Sequence, residues 1–142
     1  MHVRRLAIAL MLALLRAPGV AAGDSDIVVI VHPDRHMALS IDDVAQIYLR
    51  RHRVWDDGNA IVPLNLASGH ELRTRFSRAV LRQGDRRLAD YWNRQYFLGV
   101  LPPATLASTE AMRRYVASDP NAIGYLPASE VDSSVRVVLH LP

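Results

Sequence analysis

An apolar run that stops short limits what this chain can fold into. Leu6 to Leu15 is unbroken apolar sequence, preceded by His2, Arg4 and Arg5 and stopped by Arg16. A bilayer span needs about 20 apolar residues, more than this run supplies. A basic start, a short apolar middle and the small residues Val20-Ala21-Ala22 are the three parts of a secretory signal peptide. Residues 1–22 are therefore expected to be cleaved near Ala22 on export. What remains, residues 23–142, is 120 residues working outside the cytoplasm, enough for one domain with a core of its own.

Removing that segment also changes the charge. The whole chain has 17 basic and 14 acidic residues, a formal +3. Arg4, Arg5 and Arg16 leave with the signal, so 17 − 3 = 14 basic residues face 14 acidic ones. A neutral domain gives no support to nucleic acid as a partner. The chain has no cysteine, which excludes a disulfide scaffold, thiol chemistry and lipid attachment at a cysteine.

Hydrophobic patterning predicts an α/β domain. Asp26 to His32 is a β-branched apolar run of the kind buried on both faces in parallel sheets. Ser40 three residues before Asp43 makes a capping box, opening a helix with Ile41, Val44, Ala45, Ile47 and Tyr48 inward and its end near Arg50-Arg51. Asp56-Asp57-Gly58 marks a turn, and Ile61 to Leu66 the next strand, with Pro63 placing it at an edge or making it irregular there. Ser68 and Glu71 read as a second capping box, before a helix burying Leu72, Phe76, Ala79 and Val80.

Asp85 is expected to cap a third helix, in which Leu88, Trp92 and Tyr96 recur at intervals of four. After Pro102-Pro103, Ser108 or Thr109 opens a fourth helix with Met112, Tyr115 and Val116, closed by Asp119-Pro120. Two strands finish the chain, Ala122 to Pro127 and Val135 to Leu141, the last with Val135, Val137, Leu139 and Leu141 on one face. The predicted order is β-α-β-α-α-α-β-β, with a right-handed parallel crossover in the first unit.

Ser68-Gly69-His70 is the most informative local feature. Backbone N–H groups at a helix start carry partial positive charge and suit an anion. Gly69 admits a ligand close to the backbone, Ser68 offers a hydroxyl, and Arg73 one turn on can add charge-assisted hydrogen bonds. Ser68 with Glu71 also reads as an ordinary capping box that binds nothing, and on the residues alone that reading is favoured. Elsewhere the signals are thinner. Pro33 breaks the helical face that His32 and His36 would need to hold a metal. Ser68, His70 and Glu71 share one helical turn, which does not give triad geometry, and no G-x-S-x-G elbow is present. Trp55, Tyr91, Trp92 and Tyr96 are read as core. No catalytic constellation, cofactor or metal is expected.

Four segments in order, LSIDDVAQIYLRRHRVWDDGNAIVPLN, FSRAVL, YWNRQYFLGVLPP and NAIGYLPAS, resemble short proteins similar to periplasmic phosphate-binding proteins, the solute receptors of phosphate ABC transporters. The resemblance runs from Ile27 to Leu139. It implies a single lobe like a domain of the type 2 periplasmic-binding-protein fold, a periplasmic location, and a non-enzymatic solute-binding role with phosphate or another small oxyanion as ligand. In the receptors a strand-to-helix turn carries an Arg, an acidic residue and Ser-Gly-Thr. Here Ser68 and Gly69 match, His70 replaces the Thr, and Leu64 and Leu66 stand where the Arg and the acid would be. The resemblance thus implies Ser68, Gly69, His70 and Arg73 as the ligand set, and a membrane permease or sensor protein as partner. The receptors close two lobes on their ion, and a homodimer would give this chain a second wall. The alternative expectation is an interaction or sensor-accessory module that kept the fold and lost the ligand.

Overall fold

The computed structural model describes residues 26–142; the predicted signal, residues 1–22, lies outside them. The elements are β1 (Ile27–Val31), α1 (Ile41–Tyr48), β2 (Val62–Leu66), α2 (Glu71–Phe76) running on into a π-helical turn (Ser77–Leu81), α3 (Asp85–Phe97), β3 (Ala104–Leu106), α4 (Thr109–Ser118), β4 (Ala122–Pro127) and β5 (Arg136–His140). They form one five-stranded sheet in the order β3-β2-β4-β1-β5.

The α/β class holds, and two expectations about the sheet are corrected. The order gains a strand, β3, directly after Pro102-Pro103. The predicted parallel crossover from β1 to β2 does not occur. β1 pairs antiparallel with both β4 and β5, and β4 separates it from β2. The parallel part is instead β3-β2-β4. All five residues of β1 are buried, and this coverage of both faces, whatever the strand direction, produces its unbroken apolar run.

Neighbouring residues of β4 show the layers, because they point to opposite faces. Tyr125 stacks on Phe76 of α2, ring centres 3.9 Å apart, and lies 6.2 Å from Tyr48 of α1. Gly124 faces α4, where a Cβ would stand 2.5 Å from the Met112 sulfur. Helices α1 and α2 therefore cover one face and α4 the other, with the core between. β2 is not an edge strand, yet Pro63 fits it. The Val62 N–H donates to Asn121 on the β4 side, so the next nitrogen points the other way, where pairing with β3 begins only at Leu64.

Local details follow the sequence in places and depart in others. The Ser40–Asp43 capping box forms in full. The turn at Asp56-Asp57-Gly58 forms too, closed by the Gly58 N–H on Trp55 O at 2.8 Å. Trp55 is buried, donates to Asn121 O at 3.1 Å and carries the Arg35 guanidinium 4.4 Å over its ring. The Trp-Asp-x-Gly stretch thus pins the α1–β2 connection to the start of β4, a structural duty.

β5 alternates less cleanly than expected: Ile30 pairs with Val137 and Val29 with Leu139, so Val138 is the extra residue of a bulge. Helix α3 starts after Gly84, making Asp85 its first residue and not its cap. Its buried residues are Leu88 and Tyr91. Tyr96, expected in the core, is 66% exposed. Among the described residues, the buried part of the helix belongs to a small separate cluster with Leu49, which does not reach its last turn.

Candidate functional site

The strand-to-helix turn after β2 is where the candidate residues fall. Ala67 to His70 form a tight turn, closed by the His70 N–H on Ala67 O at 3.1 Å. Gly69 sits in it at φ +85°, a conformation a glycine adopts without strain. Helix α2 is capped by His70, whose Nδ1 accepts the Leu72 N–H at 3.2 Å. The predicted Ser68–Glu71 capping box is therefore not formed. Ser68 lies two residues before the cap, exposed in the turn. A histidine ring nitrogen serves the cap geometrically as a hydroxyl would, which frees the Ser68 side chain from that task.

Arg73 reaches back from α2, and its Nη1 donates to Leu66 O at 2.9 Å. That bond anchors the guanidinium at the end of β2, beside a partly buried polar pair. Tyr125 donates its hydroxyl hydrogen to Asn65 Oδ1 at 2.5 Å, and the Leu66 N–H points at the same hydroxyl at 3.2 Å. Burial pushes the Tyr125 hydroxyl above its ordinary pKa, while the Leu66 N–H and the charge of Arg73 pull it down less strongly. It stays a neutral donor across ordinary pH.

Two cavities adjoin Arg73. The outer, about 160 Å³, is lined by Ser68, Gly69, Arg73, Ser77, Asp85 and Trp92 among others. The inner, about 70 Å³, runs toward Asn65, Tyr48, Pro103 and Thr105 and shares Arg73, Ser77 and Trp92 with it. Three of the four candidate residues thus line one cavity. His70 lines neither, its Nδ1 being held by the cap. Leu64 and Leu66 are buried in the core, so a charge at either position would have no place in this packing.

Sequence reasoning missed Asp85 as a lining residue. Arg82 turns the chain in a left-handed conformation, φ +54°, and the start of α3 comes back over α2. No spacing in the sequence announces that reversal. The outer cavity is consequently lined by an arginine, an aspartate and a Ser-Gly turn. Such a set can bind an oxyanion that carries a proton: the arginine and serine donate to its oxygens, and the carboxylate accepts its O–H. Among the described residues no group of three His, Cys, Asp or Glu could hold a metal ion, and no helix is long and apolar enough to cross a membrane.

No protein-family model matches the chain, and comparison with the curated proteins finds no match. Solved structures do match its fold. One is described as a phosphate ABC transporter substrate-binding protein from Clostridium perfringens, with phosphate bound: TM-score 0.66, 22% identity, covering 79% of this chain and 43% of that one. An ABC-type phosphate transport receptor from Vibrio cholerae matches at 0.63 with 17% identity, over 79% of this chain and 44% of its own. PstS from Borrelia burgdorferi matches at 0.62 with 12% identity, over 79% and 46%. This chain therefore has the fold of phosphate ABC transporter substrate-binding proteins, over less than half of their length.

Proposed function

We propose that this chain is an exported, non-enzymatic solute-binding module of the periplasm whose cavity beside Arg73 takes a small oxyanion, phosphate foremost, for a membrane permease of the ABC type. The observation that carries the reading is the meeting of Arg73, Ser68-Gly69 and Asp85 around one cavity. The resemblance places an arginine, an acid and a Ser-Gly turn on the strand-to-helix connection; here the same chemical kinds converge from α2, the turn and α3. The matched folds are those of phosphate receptors, which supports the choice of ligand. A cavity walled by one domain desolvates its ion incompletely, so modest affinity is expected.

Isothermal titration with phosphate and with sulfate is the test. The expected result is phosphate binding at about millimolar or tighter, weakened at least about tenfold in Arg73→Ala and less in Ser68→Ala. Sulfate, which has no proton to give Asp85 at neutral pH, binds more weakly, and Asp85→Asn narrows the gap. Arg73→Ala also removes the bond to Leu66, so its melting curve is measured beside the titration. Phosphate binding weaker than millimolar in the wild type overturns the ligand reading and leaves the fold untouched. Amino-terminal sequencing of the exported protein is expected to start at Gly23.

The burial of Leu64 and Leu66, where the resemblance expects the charged residues, favours a second reading. In it the fold survives as a protein-interaction or sensor-accessory module without a ligand, and both titrations are flat.

A further inference from the structure

The end of α3 is apolar, exposed and held in place. Tyr96, Phe97, Leu98 and Leu101 are 66, 88, 73 and 63% exposed, and they fall close together at the end of the helix and just past it. Their backbone is not frayed. The Leu98 and Val100 N–H groups both donate to Gln95 O, at 2.9 and 3.0 Å, and the Gly99 N–H donates to Tyr96 O at 3.0 Å, which closes the helix end. The Tyr96 and Phe97 rings pack edge to face, 6.1 Å between centres. From Gln95 to Thr109 the chain has no charged residue. Soluble monomers seldom display an ordered apolar surface of this size without using it.

We propose that this tip is the contact of a homodimer, in which Tyr96, Phe97, Leu98 and Leu101 of one copy pack on the same residues of a second across a two-fold axis. Area and charge both favour that occupant. The four side chains leave on the order of 600 Å² exposed, at the upper end of what monomers show. Two copies face to face would cover about 1,200 Å², the lower bound for stable interfaces. A two-fold contact sets every residue opposite its own kind, which penalises like charges; a patch without charge carries no such penalty. The aromatic pair at its centre is the residue type that anchors interfaces. Trp92 and Pro103, at the two ends of the same segment, line the cavities beside Arg73. A second copy docked on the tip therefore stands next to the half-walled site. The dimer itself does not depend on the proposed ligand.

Light scattering coupled to gel filtration, and sedimentation of the exported protein in phosphate-free buffer, test this directly. The expected mass is twice that of one chain at micromolar concentration. Phe97→Asp with Leu98→Asp is expected to weaken association at least about 30-fold, with a circular-dichroism spectrum that stays that of the folded protein because both side chains are exposed. The milder Phe97→Ser should give the same direction. A monomeric wild type, or a dimer that survives both variants, overturns the proposal. So does a monomer that co-sediments with phosphatidylglycerol–phosphatidylethanolamine vesicles and loses that property with Phe97→Asp, which would make a lipid surface the occupant. Arg73→Ala, which disables the proposed ligand site, must leave the mass unchanged, so failure of either reading is seen separately.

Discussion

Tyr48, Phe76 and Tyr125 lie wholly inside the molecule, whereas Tyr96 and Phe97 at the end of α3 stand largely in solvent. The two groups have the same chemistry and both sit on helices or beside them. The inner three are held by geometry as well as burial. Tyr48 meets Phe76 edge to face at 4.8 Å, donates to Leu64 O at 2.7 Å, and so ties α1 to β2. The rings of the outer pair meet edge to face at 6.1 Å and stay largely exposed. The inner three lie where helices meet the sheet, whereas among the described residues the last turn of α3 lies beyond the small cluster that buries Tyr91.

Phe76→Ala and Phe97→Ala test that contrast with the largest expected difference. Phe76 is closed on both sides by Tyr48 and Tyr125, so its removal opens a cavity and is expected to cost about 3–5 kcal/mol in urea denaturation. Phe97→Ala is expected to lie within about 0.5 kcal/mol of the wild-type monomer. A comparable loss at both positions, at concentrations where both proteins are monomers, would mean that the tip is packed within one copy, and would erase the distinction.

Helix α3 is the second place to press. It joins the molecule through Leu49, Leu88 and Tyr91, and Tyr91 donates its hydroxyl to Leu49 O at 2.7 Å. Tyr91→Phe removes that donor and is expected to cost about 1 kcal/mol. Amide exchange is the informative readout, because a loosely joined helix opens by itself. The amides of α3 are expected to exchange roughly fivefold faster, while those of β1 and β4 stay as they were. Equal acceleration in β1 would show that α3 unfolds only with the whole, and that the two regions are one cooperative unit.

The same contrast explains what could be read from the sequence. β1, β4, α1 and α4 were legible because each carries a strong local signal: an apolar run, or a side-chain cap before a periodic stripe. β3 was not, since Ala104 and Thr105 are exposed and three residues give no period. Strand order was not legible either. Nothing between Ile27 and Leu66 records that β4 will insert between β1 and β2; that is decided by which surfaces remain to be covered once the chain is complete. At the candidate site, Ser68, Gly69 and Arg73 could be grouped from the sequence because they share one turn and the helix after it, and they line one cavity. Asp85 escaped because it arrives through a chain reversal. The Nδ1 of His70 caps α2, a role that was not legible because spacing does not separate a capping histidine from a ligand-binding one.

Acid offers the finest test, at the cap that holds α1 and with it Tyr48. The Ser40 backbone N–H, then its hydroxyl, hold the Asp43 carboxyl below its ordinary pKa, with a smaller contribution from His52. A carboxyl whose pKa is lowered by folding stabilises the fold fully above the unfolded value of about 3.9, and loses that contribution as pH falls through the lower folded value. Asp43→Asn is therefore expected to reduce stability by about 0.5–1 kcal/mol at neutral pH. The gap between variant and wild type should stay constant down to about pH 5 and close below about pH 4. Asp57 and Asp132, lowered by their bonds from Asn59 and Ser134, lose their contributions in the same range in both proteins and cancel from the difference. α3 begins after Gly84 with no side-chain cap hydrogen bond. If its amides were the ones whose exchange rose with Asp43→Asn, while those of α1 did not, the inner cluster would not be the more firmly built of the two regions.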